Sequence, residues 1–133
     1  MEQNRMIFGI GTDLVVIERV RAMHARHGQR LAERMLAPAE LPGFDLVPDK
    51  PRFLAKRFAA KEAFAKAAGT GMRAPLHLST IGVRHNALGR PELFFSDELA
   101  AWLRRQGVVR SHLSLSDEQE HAMAFVVLES EAS

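Results

Sequence analysis

Glu62 is the single acidic residue in a basic stretch of the sequence. Such a stretch suits the binding of a polyanion. Seven basic residues accompany it between positions 50 and 73: Lys50, Arg52, Lys56, Arg57, Lys61, Lys66 and Arg73. A lone carboxylate among cations could hold a metal ion beside phosphate groups. Glu62 also precedes Lys66 by four residues, the favourable order for a helical ion pair on a solvated surface. The residues alone leave both interpretations open.

Asp13 is a second candidate metal ligand. The apolar run before it predicts a short strand over residues 6–13, with Asp13 at its exit. Mg²⁺ usually takes one or two protein carboxylates and leaves its other positions to water and substrate phosphate. Alternatively, Asp13 could cap the helix predicted over residues 14–27, because aspartate accepts backbone N–H bonds at the N-cap.

A glycine-rich turn, Gly69-Thr70-Gly71, follows the basic stretch. Its two glycines permit positive φ angles and a close approach of the backbone to a phosphate or a thin alkyl arm. A plain helix C-cap followed by a turn is the alternative.

A helix of about five turns must position Glu62. Asp49 can serve as its N-cap, Pro51 suits its first turn and Gly69 ends it. At about 100° per residue, one side collects an apolar stripe and the other collects Glu62 and Lys66. The stripe consists of Phe53, Ala60, Phe64 and Ala67.

The rest of the chain alternates between helical and extended patterns. Further helical segments are predicted over residues 30–36 and 97–106, the latter capped by Ser96, with a short turn at 38–40 and an irregular linker at 43–48. Strands are predicted over residues 76–84, 92–95, 111–116 and 122–128. His112, on a polar strand face, is interpreted as structural. We therefore expect an α+β fold in a single domain over residues 1–133.

Bulk composition narrows the class of protein. With 133 residues, 47% of them hydrophobic, the chain can bury the core of one domain. The absence of cysteine excludes disulfides, thiolate zinc sites and thiol nucleophiles. The sequence shows no bilayer-spanning apolar run and its start lacks the layout of a signal peptide, so we expect a cytoplasmic protein without a membrane partner.

Basic residues also cluster near the start of the chain. Between positions 19 and 36, one acid, Glu33, stands against five arginines: Arg19, Arg21, Arg26, Arg30 and Arg34. These could form a solvated face or a dock for an acidic protein. A small basic nucleic-acid-binding protein is the main alternative function. The chain has no tyrosine and one tryptophan, Trp102, so a base-stacking platform is missing and we expect no nucleic-acid partner.

Two separated segments resemble the signature motifs of the phosphopantetheinyl transferases, and of the short holo-acyl-carrier-protein synthases in particular. They are residues 10–13 (IGTD) and residues 58–66 (FAAKEAFAK). Residues 53–57, 69–72, 89–91 and the segment from 116 to 129 extend the similarity over nearly the whole chain.

The resemblance implies an activity and an assembly. Members transfer the 4′-phosphopantetheine arm of coenzyme A onto a serine of an acyl carrier protein and release adenosine 3′,5′-bisphosphate. They pack helices on a twisted antiparallel sheet and form homotrimers with active sites at the subunit interfaces. A non-catalytic subunit that binds coenzyme A or a carrier protein is a further interpretation.

The resemblance also assigns roles to single residues. Asp13 and Glu62 would hold Mg²⁺, or Mn²⁺ in its place, and would form the catalytic set with Lys66. Arg57, Lys61 and Lys66 would contact phosphates. Arg19, Arg26 and Arg30 would dock the carrier protein. Coenzyme A would also contact Gly69, Thr70 and Gly71. Arg90 and Pro91 would contact the coenzyme A bound to a neighbouring subunit. The general base would be Glu62 or a metal-bound water that Glu62 orients, and Asp117 stands where some relatives have a histidine.

Overall fold

The computed structural model describes residues 4–132 and shows an α+β fold, as predicted. Its strands are β1 (Arg5–Val16), β2 (Ile81–His85), β3 (Pro91–Phe95), β4 (Val108–Asp117) and β5 (His121–Glu131). Its helices are α1 (Ile17–His27), α2 (Gln29–Met35), α3 (Leu41–Leu46), α4 (Lys50–Ala68) and α5 (Asp97–Arg105), with a 3-10 turn at Pro38–Glu40. The first three residues, on which the signal-peptide expectation partly rests, lie outside this range.

Strands β1, β5 and β4 form an antiparallel sheet in that order, and β2 pairs with β3 in a separate hairpin. The register places Asp13 opposite Ala124 and Leu113 opposite Val126. Alternate residues of β5 are fully buried, among them Ala122, Ala124 and Val126. One face of the sheet therefore belongs to the core.

Helix α4 lies across the buried face of this sheet. The Asp49 carboxylate accepts a 3.2 Å hydrogen bond from the Arg52 N–H at its start, and Gly69 ends it with φ 83°. Both ends agree with the sequence prediction. The prediction of a single apolar stripe is wrong, because α4 is covered by β1 and β5 on one side and by α1, α2, α3 and β2 on others. Buried positions consequently occur around most of the helix.

Strand β1 is longer than predicted, and Asp13 lies inside it rather than at its exit. The chain stays paired with β5 as far as Val16, which lies opposite His121. Helix α1 therefore begins at Ile17 instead of Leu14, and no side chain caps it. The β-branched residues Val15 and Val16 favour the extended backbone. The alternative that Asp13 caps a helix is thus wrong.

Two other segments differ from the prediction. Residues 43–46 of the expected linker belong instead to α3, which buries Phe44 completely. Residues 76–80 form turns, in which the Thr80 hydroxyl donates to the Pro75 carbonyl and accepts from the His77 N–H. Within residues 4–132, no helix is long and apolar enough to cross a membrane.

Candidate active site

Two glycines of β1 bring Asp13 against helix α4. Gly9, Gly11 and Asp13 alternate along the strand and so share one face. A Cβ added at Gly9 would lie 1.9 Å from the Ala67 carbonyl oxygen, and one at Gly11 would lie 2.0 Å from the Ala63 carbonyl oxygen. Strand and helix therefore touch backbone to backbone, which places the next side chain on that face beside the helix.

Asp13 is held there by a side chain of α4. The Lys66 ammonium donates a 3.0 Å hydrogen bond to Oδ1 of Asp13 and a 2.9 Å bond to the Thr12 carbonyl oxygen. The Asp13 side chain is 17% exposed and that of Lys66 is 54% exposed. The carboxylate is thus oriented and the ammonium remains open to a ligand.

Glu62 meets Asp13 in the same cleft, which has a volume of about 740 Å³. Burial raises the pKa of the Glu62 carboxyl, the charge of Asp13 raises it further, and Lys66 acts in the opposite direction. A raised pKa of this kind is expected when two carboxylates share a site. The two acids singled out from the sequence are therefore brought together.

The donor set fits a divalent cation that is completed by other ligands. Carboxylate oxygens are the donors that Mg²⁺ and Mn²⁺ prefer. Among residues 4–132, no group of three or more His, Cys, Asp or Glu side chains is arranged to hold a metal. Two carboxylates leave most of the coordination sphere to water and to phosphate oxygens, which suits a substrate-linked site.

Arg19 lines the same cleft as the two acids. The remaining walls are mostly apolar: Leu14, Val15, Val16, Val20, Ala22, Met23 and Phe58. Arg26 and Arg30 are exposed. Arg30 lies with His27, Leu31 and Arg34 around a separate pocket of about 310 Å³. In the described part of the chain, none of Arg19, Arg26 and Arg30 forms an ion pair.

Lys61 does not lie in the cleft, which corrects its predicted phosphate contact. Its side chain is fully buried. The ammonium donates to Glu40 Oε1 at 2.6 Å and to the carbonyl oxygens of Met35 at 2.7 Å and Leu78 at 2.8 Å. Burial lowers the pKa of Lys61 to about 8, although the Glu40 carboxylate favours the charged form. All three N–H groups are used inside the protein.

Arg57 is engaged by the same buried acid. Its Nε atom lies 2.9 Å from Glu40 Oε2, in an ion pair whose N–H direction does not make a hydrogen bond. The guanidinium stacks on the Phe53 ring, 4.3 Å from its centroid, and the side chain is 11% exposed. A phosphate contact by Arg57 stays a prediction.

Sequence reasoning missed Glu40, although a signal was present. A glutamate at the third position of a helical turn can reach back to the N–H that precedes the turn. Glu40 does this, accepting a 2.8 Å bond from the Ala37 N–H.

The residues predicted to contact coenzyme A lie in two places. Gly69 and Gly71 have positive φ angles at the end of α4, where the exposed Thr70 hydroxyl donates to the Gly71 carbonyl. Arg90 and Pro91 line a different cleft, of about 520 Å³, between the β2–β3 hairpin and β4. Within one chain, this second cleft is separate from that of Asp13 and Glu62.

Asp117 is paired with two basic residues of α4. It accepts a 2.9 Å hydrogen bond from Arg52 and lies 3.5 Å from the Lys56 ammonium. Burial alone would raise the pKa of Asp117, but the bond from Arg52 and the charge of Lys56 outweigh it and lower that pKa. Asp117 is therefore a poor proton acceptor. His112 pairs with Glu129 on the outer face of the sheet.

The sequence matches the 4′-phosphopantetheinyl transferase superfamily over residues 9–126. The chain belongs to this superfamily and is a phosphopantetheinyl transferase. Membership favours an enzyme over a non-catalytic subunit.

Relatives of this chain within the superfamily are named holo-[acyl-carrier-protein] synthases. The holo-[acyl-carrier-protein] synthase of Laribacter hongkongensis is 59% identical over 124 residues, which cover 93% of this chain and 99% of that protein. The crystal structure of the holo-[acyl-carrier-protein] synthase from Neisseria meningitidis has a TM-score of 0.90 and 49% identity, and the match covers 92% of this chain and 98% of that one. The corresponding Bacillus anthracis protein, in complex with CoA (3′,5′-ADP), has a TM-score of 0.79 and 35% identity, with coverages of 94% and 98%.

Proposed function

We propose that this protein is a Mg²⁺-dependent holo-[acyl-carrier-protein] synthase. It transfers the 4′-phosphopantetheine arm from coenzyme A to a serine of an apo acyl carrier protein and releases adenosine 3′,5′-bisphosphate. The meeting of Asp13 and Glu62 in one cleft, with Lys66 on the Asp13 carboxylate, carries this proposal. The names of the relatives and the coenzyme A in the Bacillus anthracis structure support the substrates.

Asp13, Glu62 and Lys66 each have a role in breaking a diphosphate. Asp13 and Glu62 hold the cation, with Mn²⁺ as the alternative to Mg²⁺, and Lys66 orients Asp13. When bound, the cation supplies positive charge to the diphosphate oxygens. Lys66 adds a second positive charge at the same edge, since its side chain is more than half exposed.

The serine hydroxyl of the carrier must lose its proton as its oxygen bonds to the phosphorus. Glu62 is our candidate acceptor, directly or through a cation-bound water that it orients, because it lines the cleft beside Asp13 in which the diphosphate would be held. Asp117 is not proposed for this step, because Arg52 and Lys56 hold it in the ionised form at a lowered pKa.

The carrier protein is proposed to dock on α1. Arg19 reaches the cleft itself, and Arg26 extends the positive surface along the helix. An acidic partner would pair with these exposed cations, which mainly raises the association rate and makes it depend on salt.

We also propose a homotrimer, supported by an apolar outer face of the sheet. Side chains of β1 and β5 on this face are 37–68% exposed: Ile7, Ile10, Leu14, Val16, Met123 and Phe125. Apolar patches of this kind mark interaction sites. A neighbour would bring the separate cleft of Arg90 and Pro91 toward the carboxylates, as a shared active site requires.

The test is a transfer assay. The protein is incubated with coenzyme A, Mg²⁺ and several apo carrier proteins, and carrier mass is measured. We expect the carrier to gain the mass of one phosphopantetheine arm, and we expect EDTA or Glu62→Gln to abolish the gain. No gain with any carrier would refute the proposal.

A nucleic-acid-binding role loses its main support in the structure. Lys61 is buried, Arg57 is nearly so, and Arg52 is engaged with Asp117 and two carbonyl oxygens of the β4–β5 turn. The basic stretch is therefore not a continuous cationic surface.

A further inference from the structure

Glu40 is a buried carboxylate on which several elements converge. Its side chain is 1% exposed. Oε1 accepts from the Ala37 N–H and from Lys61, and Oε2 accepts a 2.9 Å bond from the Val83 N–H of β2 and is paired with Arg57 of α4. One side chain thus joins the 3-10 turn, α4 and the β2–β3 hairpin.

Lys61 completes this node. It links Glu40 to the carbonyl oxygens of Met35 at the end of α2 and of Leu78 in the turn before β2. Every donor of the ammonium is matched to an acceptor, so its position is specified in three directions. A buried charge that lost these partners would be strongly unfavourable. The contacts of Glu40 and Lys61 are therefore expected to form together.

The node sets the rotation of α4 about its own axis. Lys61 and Glu62 are consecutive, so their side chains diverge by about 100°, and Lys66 diverges from Lys61 by about 140°. Arg57 lies one turn before Lys61 on the same side. With both residues fixed on Glu40, Glu62 and Lys66 are turned toward Asp13 and β1.

Most apolar contacts of α4 add little to the choice of this rotation, the exceptions being Leu54, Phe64 and the close contact with Gly9 and Gly11. Seven of the twelve buried residues of α4 are alanines: Ala55, Ala59, Ala60, Ala63, Ala65, Ala67 and Ala68. Such small and similar side chains leave neighbouring rotations of the helix close in packing, because uniform cores lose uniqueness before stability. A directional polar anchor supplies what the alanines lack.

We propose that Glu40 is a positioning residue for the cation site: by holding Arg57 and Lys61, it fixes the rotation of α4 that brings the Glu62 carboxylate to Asp13. This rests on the proposed function in one respect, that Asp13 and Glu62 hold the cation. Glu40 itself lies in the core and touches no substrate.

The test compares Mn²⁺ affinity, measured from the electron paramagnetic resonance signal of the free ion in the presence of coenzyme A, with the free energy of unfolding in urea. Glu40→Gln keeps the shape of the side chain and removes its charge. Glu40→Asp keeps the charge and shortens the arm by one methylene, and it serves if Glu40→Gln does not fold. Leu99→Ala in α5 is the control, because Leu99 is fully buried in a helix that packs mainly on β3 and β4.

We expect each folded Glu40 variant to bind Mn²⁺ at least about tenfold more weakly and to lose about 100-fold in kcat/KM, since small misplacements of reacting groups cost that much. Leu99→Ala should lose stability yet keep its Mn²⁺ affinity at temperatures where it is folded. Glu40 variants that match Leu99→Ala in Mn²⁺ affinity would overturn the positioning role alone. A wild-type protein that neither binds Mn²⁺ nor transfers the arm would overturn the proposed function as well.

Discussion

The Lys66 ammonium lies 3.0 Å from Oδ1 of Asp13, which ties the central helix to the first strand at the mouth of the cleft. This contact partly neutralises one of two carboxylates that lie close together. Glu62 has no such contact within hydrogen-bond distance among the described residues, and its burial together with the repulsion from Asp13 appears as its raised pKa. The two acids thus face the cleft in different electrostatic states.

Replacing Lys66 with methionine should impair transfer without unfolding the protein. The side chain is 54% exposed, so its removal leaves no cavity, but Asp13 loses its orienting donor and the diphosphate loses a cation. We expect kcat/KM for transfer to fall by about 100-fold, as for loss of one preorganised donor. Lys50→Met at the other end of α4 is the matched control and should transfer at the normal rate. Equal rates for the two variants would contradict the role of Lys66.

Glu62→Gln should stabilise the cation-free protein, and the gain should depend on pH. The pKa of Glu62 is raised above its ordinary value of 4.5, so the folded chain keeps this proton to a higher pH than the unfolded chain does. Ionisation of Glu62 therefore costs stability as the pH rises through these two pKa values. The glutamine variant escapes that cost.

The measurement is the thermal unfolding midpoint in EDTA from about pH 4 to about pH 8, a range that spans carboxyl titration. The midpoint difference between Glu62→Gln and wild type should be small at the acidic end and largest at the alkaline end. Glu33→Gln, on the exposed face of α2, controls for the change in net charge. A difference that shrinks as the pH rises would contradict the account.

Gly11→Ala should destabilise the protein severely. The new Cβ would lie 2.0 Å from the Ala63 carbonyl oxygen, so β1 and α4 would have to separate. We expect the free energy of unfolding in urea to fall by about 3 kcal/mol or more, at the upper end for overpacking. Gly43→Ala is the control, since a Cβ added there meets nothing within 4 Å and a helical glycine should gain about 0.5–1 kcal/mol from the change. A mild effect at Gly11 would show that the strand does not need this close approach.

A charged side chain introduced on the outer face of the sheet should dissociate the proposed trimer. Phe125 is 43% exposed on β5, among the apolar side chains of that face. Light scattering coupled to size exclusion should give the mass of three chains for wild type and of one chain for Phe125→Glu. Leu46→Glu, at the exposed end of α3, should keep the wild-type mass. A wild-type mass of one chain would remove the trimer from the account.

Local signals were enough to predict much of the fold and the two acids. Asp49 and Gly69 mark the ends of α4 because capping depends on near neighbours in the chain. The end of β1 could not be predicted in this way. Leu14 and Val16 remain extended because β5 pairs with them, and β5 is more than one hundred residues away in sequence.

The sequence was misleading where a charge is buried. Lys61 stands among phosphate-binding candidates, and only the tertiary structure shows that Glu40, Met35 and Leu78 use all its donors.

Gly9 of β1 is a second residue whose role the sequence did not indicate. Its pattern with Gly11 and Asp13 is compatible with a turn, but the structure uses both glycines for contact with a helix whose position the sequence does not specify.

The central claim is that Asp13 and Glu62 jointly hold one divalent cation with coenzyme A. Calorimetric titration of Mn²⁺ into the protein with coenzyme A tests it most directly, using wild type, Asp13→Asn, Glu62→Gln and the double variant. We predict one site per chain in wild type, an affinity at least about tenfold weaker in each single variant, and little further loss in the double variant because the two ligands act as a unit. Wild-type affinity in both single variants would contradict the claim.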